Sequence, residues 1–250
     1  MKPIALQLYT VREYAQQDLI GTLRRVADIG YSGVEFAGLH GHDPEKVAAV
    51  IDELNLKVCS SHTAMPTPEN IQQLVETEQI LGNKRLISGL GPDRFTTLDD
   101  CRQAIDIFRQ ASELLQPYNM SFGLHNHWWE FKTIDGKLIY DLIMEEAPAI
   151  FGQLDVYWAA FAGSDPVKVI KQYSARLPLL HIKDGTLKEN EPHTAVGNGI
   201  LDIPAIINAA NPDITEWLIV ELDEYSGDMW EAVQHSYDYL TSNQLVKGNR

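Results

Sequence analysis

The sequence predicts an α/β fold, a (β/α)8 barrel, on three observations. Apolar runs rich in β-branched residues recur every 26 to 39 residues along the chain. Each is followed by a segment of helical period with recognisable caps. There are eight of them, the number that closes a parallel sheet on itself.

The expected strands are Ile4–Leu8, Gly33–Phe36, Lys57–His62, Arg85–Ser88, Met120–Asn126, Ile150–Asp155, Leu179–Ile182 and Trp217–Glu221. Helices are expected between them. Asp43-Pro44, Thr67-Pro68 and Asp165-Pro166 each place a capping side chain before a proline at the first helical position. Thr97 with Asp100 three residues on has the form of a capping box. Leu19, Leu23, Val26 and Ala27 make one apolar stripe, and Ile105, Phe108, Ser112 and Leu115 approximate a second. At 250 residues and 44% hydrophobic the chain can bury one barrel core, and no linker or composition shift divides it, so a single domain over 1–250 is expected.

The formal charge is −15, from 35 acidic and 20 basic residues, with no long run of like charge. Nucleic acid and anionic membrane surfaces are therefore poor partners. The N-terminus turns polar too quickly for a signal peptide, and no apolar run approaches membrane-spanning length, so a cytoplasmic location is expected. Cys59 and Cys101 read as free thiols in a reducing compartment. The sequence leaves a homo-oligomer open.

In a (β/α)8 barrel the site lies at the carboxyl ends of the strands. Six of the eight expected strands end there in Glu35, His62, His125, Asp155, His181 or Glu221. His125, Asp155, His181 and Glu221 form the candidate metal set, since imidazole and carboxylate suit a borderline or hard divalent cation. Asp155 can instead cap the loop that follows it, but Val156-Tyr157-Trp158 is not a turn sequence and the ligand reading is favoured. Lys183, two residues after His181, reads equally as a substrate-oxygen contact or a partner for Asp184.

Glu130 follows Trp128 and Trp129 and reads as a ligand, a general acid or a solvated loop residue, the last being the weakest. A glutamate among tryptophans in a closed pocket has its charged form disfavoured, which suits proton transfer. Trp128 reads either as a sugar-stacking side chain or as packing beneath the helices. The glycines of Gly197-Asn198-Gly199 could let backbone amides approach a ligand, though Lys188 is the only basic residue nearby and a strongly phosphorylated substrate is not expected.

The ordered motifs QLYTVR, GYSGVEFAG, SSH, LHNHWWEF, LDVYWAAFAG, HIKDG, VGNGILD and VELDE span the chain. Together they resemble the sugar phosphate isomerase/epimerase group of the xylose isomerase-like barrels. That resemblance implies a divalent metal, Mn, Co, Mg or Zn, held by residues on strands five to eight. Asp155, His181 and Glu221 match three of the family's ligands, while His125 stands where relatives carry a glutamate, so that either His125 or Glu130 completes the set. Trp158 departs similarly, from a substrate-touching histidine.

The expected chemistry is metal-assisted removal of a proton next to a sugar carbonyl, with Glu221 or Glu130 as the base and an enediolate as product. Glu35, His62, Asn126, Trp158 and Lys183 are the expected substrate contacts. Returning the proton gives isomerisation or epimerisation. Expelling a β-substituent gives a lyase or dehydratase, as in inosose dehydratase or relatives acting on 3-keto-sugars. A catalytically idle sugar-binding barrel is a further reading.

Overall fold

The computed structural model describes residues 1–249. Eight parallel strands form the barrel: β1 (Lys2–Gln7), β2 (Gly33–Phe36), β3 (Lys57–His62), β4 (Arg85–Ser88), β5 (Ser121–His125), β6 (Phe151–Asp155), β7 (Leu179–Ile182) and β8 (Trp217–Val220). Each pairs with its sequence neighbour, and β8 pairs with β1, aligning Ala5 with Ile219 and Leu6 with Val220 to close the ring. The short strand Val246–Lys247 adds to the start of β1, and a small hairpin, Thr133–Ile134 with Lys137–Leu138, follows β5.

Strand alternation sorts the side chains. Leu6, Val34, Leu86, Phe122, Leu154, Leu180 and Leu218 belong to the outer core, together with Leu23, Val26, Ile105 and Phe108 from the flanking helices. Each fully buried side chain of this kind is worth roughly 1.5–3 kcal/mol of transfer free energy. Ala5, Cys59, Ile87, Leu179 and Ile219 form a separate apolar cluster contributed by five strands, the inner layer of the barrel. Gly123 is required by this packing: a Cβ there would lie 2.3 Å from the Phe151 ring and 2.7 Å from Ile87. Cys59 and Cys101 are both buried and free, as expected.

The expected strands fall within two residues of the observed ones. Leu8 leaves β1 because Gln7 turns the chain, its side chain accepting a bond from the Tyr9 N–H at 2.9 Å. Asp43 and Asp165 cap the helices Pro44–Glu53 and Pro166–Gln172, and Thr97 and Asp100 form the capping box of Leu98–Leu115. The Thr67-Pro68 start is corrected. That helix runs Ile71–Ile80, because the Asn70 side chain accepts from Thr67 N–H at 2.7 Å and donates to Met65 O at 2.9 Å, holding the intervening residues in a turn. No helix among the described residues is long and apolar enough to cross a membrane.

Candidate active site

Register brings the strand-end residues to a common level. Gln7 pairs with Glu35, His125 with Gln153, and Asp155 with His181. Period-two alternation then carries Gln153 and Asp155 on one face of β6, and His181 and Lys183 on one face of β7 and its continuation.

Glu35 lies at the centre and is wholly buried. It accepts from Gln7 Nε2 at 2.6 Å, from Ser60 Oγ, from Gln153 Nε2 and from His181 Nε2 at 2.6 Å, with His62 Nε2 at 3.3 Å. Burial alone would raise its pKa, but His62 and His181 outweigh that and hold it well below the usual carboxylate range. Every bond in this hub is directed by a group with one possible role. Glu35 only accepts, so Gln153 must turn its NH2 toward Glu35 and its oxygen toward the histidines. That oxygen lies 2.7 Å from His62 Nε2 and 3.1 Å from His125 Nδ1, so both ring nitrogens carry protons.

The tautomer of His125 follows. Its Nδ1–H is spent on Gln153, which leaves Nε2 as the free lone pair, and burial followed by the charge of His181 depresses its pKa well below normal. His125 is therefore a neutral imidazole oriented by an outer partner, the usual state of a ligand histidine. His181 lies between two carboxylates, Nε2 on Glu35 and Nδ1 at 2.8 Å from Glu221 Oε2. Burial would depress it, yet Glu35 and Glu221 push it up to about 10, so it holds both protons in this arrangement.

His125, Asp155, His181 and Glu221 each offer a ligand atom within 4.8 Å of the others, and all four are buried. The donor set is two nitrogens and two carboxylates. Asp155 divides its oxygens: Oδ1 accepts from Trp158 N–H at 2.9 Å and caps the helix Val156–Phe161, while Oδ2 is buried without a directed hydrogen bond. Cap and candidate ligand, read from sequence as alternatives, thus use different oxygens of the same carboxylate. A buried carboxylate oxygen with no hydrogen bond of its own, balanced by the Lys183 ammonium at 3.1 Å, beside a neutral, pre-oriented imidazole fits a divalent cation. His62 makes a second close group with His125 and His181.

Lys183 is the cation the chain itself supplies. Its ammonium is wholly buried, 3.1 Å from Asp155 Oδ2, 3.0 Å from Glu221 Oε2 and 2.9 Å from Asp223 Oδ2, and 5.3 Å from the centre of the Trp158 ring. Burial opposes its charge, but these three carboxylates raise its pKa well above the ordinary value. Lys183 does not pair with Asp184, which corrects one of its two expected roles. The Asp184 carboxylate accepts instead from the backbone N–H groups of Gly185 (2.9 Å), Gly197 (3.0 Å), Gly199 (3.0 Å) and Leu201 (3.2 Å). The glycine amides expected to approach a ligand are thereby occupied.

Two other expected residues sit apart from the cluster. Asn126 is committed to the backbone of Asp155, accepting from its N–H at 2.9 Å and donating to its C=O at 3.3 Å, and so fixes β5 against β6 where a substrate contact was expected. Glu130 is wholly buried, so the solvated reading is excluded. Its Oε2 accepts from His127 N–H at 2.8 Å, Oε1 has no partner, and burial pushes its pKa up to about 8.

A cavity of about 580 Å³ opens above the cluster, lined by Tyr9, His62, His125, Trp129, Glu221 and Asp223 among others. His127 also faces it, stacked on Trp129 with ring centres 4.1 Å apart. Sequence reasoning missed Gln153 and Asp223. Gln153 was detectable as the residue two before Asp155, hence on the same strand face. Asp223, two residues after Glu221, carried the same signal, but it lies past the end of β8, where strand alternation no longer fixes the direction of a side chain.

Comparison with known proteins agrees with this architecture. A sugar phosphate isomerase/epimerase from Parabacteroides distasonis superimposes with a TM-score of 0.82 at 27% identity, covering 98% of this chain and 96% of that one. The IOLI protein, solved with a bound zinc atom, superimposes with a TM-score of 0.74 at 17% identity over 98% of each chain, which shows the shared fold. Among curated sequences, inosose dehydratase of Geobacillus kaustophilus is 20% identical, covering 87% of this chain and 82% of its own length. The xylose isomerase-like TIM barrel profile matches residues 23–243, nearly the whole barrel, and the chain belongs to that family.

Proposed function

We propose that the protein is a metal-dependent keto-sugar isomerase or epimerase that moves a proton next to a carbonyl. The observation that carries this reading is the meeting of His125, Asp155, His181 and Glu221 within 4.8 Å, at the floor of a cavity that Glu221 lines. A divalent cation held by these four would polarise a carbonyl and its neighbouring hydroxyl, lowering the cost of an enediolate. Its identity among Mn, Co, Mg and Zn is set by availability as much as by these N and O donors.

The chain's own residues do the rest. Glu35 orients His181 through Nε2–H, leaving Nδ1 on the side of Glu221. Gln153 fixes His125 and His62 by one oxygen. Glu221 is the base: it reaches the cavity, whereas Glu130 is not among the cavity's lining residues. Glu130 acts from behind, holding the turn that carries His127. Lys183, buried and not among the cavity's lining residues, pairs with Glu221 and, against the effect of burial, holds that carboxylate ionised, ready to accept a proton. Tyr9 and Trp129 offer apolar walls for a sugar ring, and a small-molecule sugar or keto-sugar is the substrate class this cavity suits.

Solvent exchange tests the reading. The Mn-loaded protein in D2O should incorporate deuterium at the carbon next to the carbonyl of a ketose or keto-sugar, read by proton NMR, and Glu221→Gln should abolish it. An absence of exchange across a broad panel with metal bound would sink it.

A further inference from the structure

A second cavity, of about 270 Å³, lies beside the mouth. No described residue lines both cavities: Trp129 lines the mouth and Trp128 the second cavity, with ring centres 4.6 Å apart at 73°, so this pair partitions them. A ligand of the second cavity is thus bound apart from the one that meets Glu221.

Local structure explains its walls. Asp155 Oδ1 caps the short helix Val156–Phe161, which carries Trp158 and Phe161 three residues apart on one face. Trp128, from the turn after β5, leans on both, 5.0 Å from Trp158 at 51° and 6.1 Å from Phe161 at 67°. Trp158 and Phe161 themselves meet at 85°. All three rings are half-buried, so apolar ring surface remains open to a guest. Aromatic quadrupoles favour tilted and T-shaped neighbours, and another flat ring continues this arrangement.

One directional polar group enters this aromatic setting. His193 is 6% exposed, and its ring stands at 82° to Tyr157 and 72° to Trp158. Its Nδ1 accepts the Asp223 N–H at 3.1 Å, and burial followed by the charge of Lys183 lowers its pKa to about 4. The neutral ring therefore carries its proton on Nε2, a donor without a partner among the described residues. Lys188 and Glu191 on the rim are spent on each other at 3.2 Å, and the Tyr157 hydroxyl accepts from Leu187 N–H at 3.2 Å. A polyhydroxylated ring would leave most of its hydroxyls against aromatic carbon. A flat ring with a single oxygen acceptor leaves none, and the exposed Glu189 on the same rim disfavours an anion.

We propose that this cavity binds a small neutral aromatic molecule bearing one oxygen acceptor, of the phenol or aryl ketone class, between Trp128, Trp158 and Phe161 with its oxygen on His193 Nε2–H. Roughly 150 Å³ suffices for benzene. About 270 Å³ leaves room for a ring with a short substituent. The site is independent of the proton-transfer chemistry proposed above and stands or falls without it.

Saturation-transfer NMR titration of the full chain with acetophenone, toluene, benzoate and cyclohexyl methyl ketone tests it. Acetophenone should bind saturably and about three- to tenfold more tightly than toluene, the range of one neutral hydrogen bond, and more tightly than benzoate or the cyclohexyl ketone. His193→Phe should bring acetophenone down to the affinity of toluene, and Trp128→Ala should weaken both by about fivefold, with the fold of each variant checked by circular dichroism. No saturable binding at millimolar concentration, equal affinity for acetophenone and toluene, or acetophenone binding unchanged in both folded variants overturns the proposal. So does a preference for the cyclohexyl ketone. Self-association of the parent that Phe161→Leu abolishes would seat a side chain of a second copy in the cavity, and likewise overturns it.

Discussion

Lys183 Nζ lies 3.1 Å from Asp155 Oδ2, with both side chains wholly buried, and the same ammonium reaches Glu221 at 3.0 Å. The chain's own cation therefore sits on two of the four carboxylate and imidazole ligands proposed for a metal. Unit charges about 4 Å apart interact by roughly 4 kcal/mol at an effective dielectric constant near 20, so ammonium and metal oppose each other unless Lys183 withdraws to Asp223. Lys183→Met should accordingly lower stability without metal by about 3–5 kcal/mol, because buried carboxylates lose their partner. It should also bind Mn more tightly than the parent, by about tenfold or more. Thermal unfolding with and without Mn, alongside calorimetry, reads both; an unchanged Mn affinity would show that the ammonium does not compete.

The ligand set itself is tested by Asp155→Ala and His181→Ala. Each should strip bound metal, measured by elemental analysis after gel filtration. Wild-type metal content in either variant would place the ion elsewhere.

Glu130 gives a pH signature. Burial raises its pKa to about 8, so the folded state keeps a proton that the unfolded chain releases in the ordinary carboxyl range. Its contribution is complete below that range and is lost as pH rises toward about 8, at about 1.4 kcal/mol per pH unit for one proton. Glu130→Gln, which keeps an acceptor for His127 N–H, should flatten this part of the denaturant stability profile between pH 5 and 9. A parent profile that does not fall across that interval would show Glu130 ionised when folded.

Asp184 anchors the loop after β7 through four backbone amides. Asp184→Ala leaves the buried Gly185 donor unsatisfied, at about 1–3 kcal/mol before relaxation, and three half-buried donors without their partner at a smaller cost each. Limited proteolysis should cut the variant between residues 185 and 201 well before the parent. Equal protection would mean that the loop is held chiefly by its other contacts.

Much of this was legible in the chain. Eight apolar runs at barrel spacing identify the fold, because strand burial on both faces leaves near-continuous Val, Ile and Leu that no surface element tolerates. Glu35, His125, Asp155, His181 and Glu221 were visible as the polar terminations of those runs, since a charge ending an apolar strand must find a partner. The helix before β4 was misplaced by three residues because Asn70 captures the Thr67 amide, a local competition that a Thr-Pro pair does not reveal.

The sequence by itself determined the barrel, the level at which its polar residues gather, and a donor set suited to a divalent cation. Only the tertiary structure decided how those residues divide their bonds. Register and side-chain direction made Glu35 a hub behind His181, sent Asn126 to the Asp155 backbone, and placed Lys183 on Asp155, Glu221 and Asp223 instead of Asp184. Strand periodicity says which face a residue occupies. Which of several carboxylates it then meets depends on the paths of loops far apart in sequence.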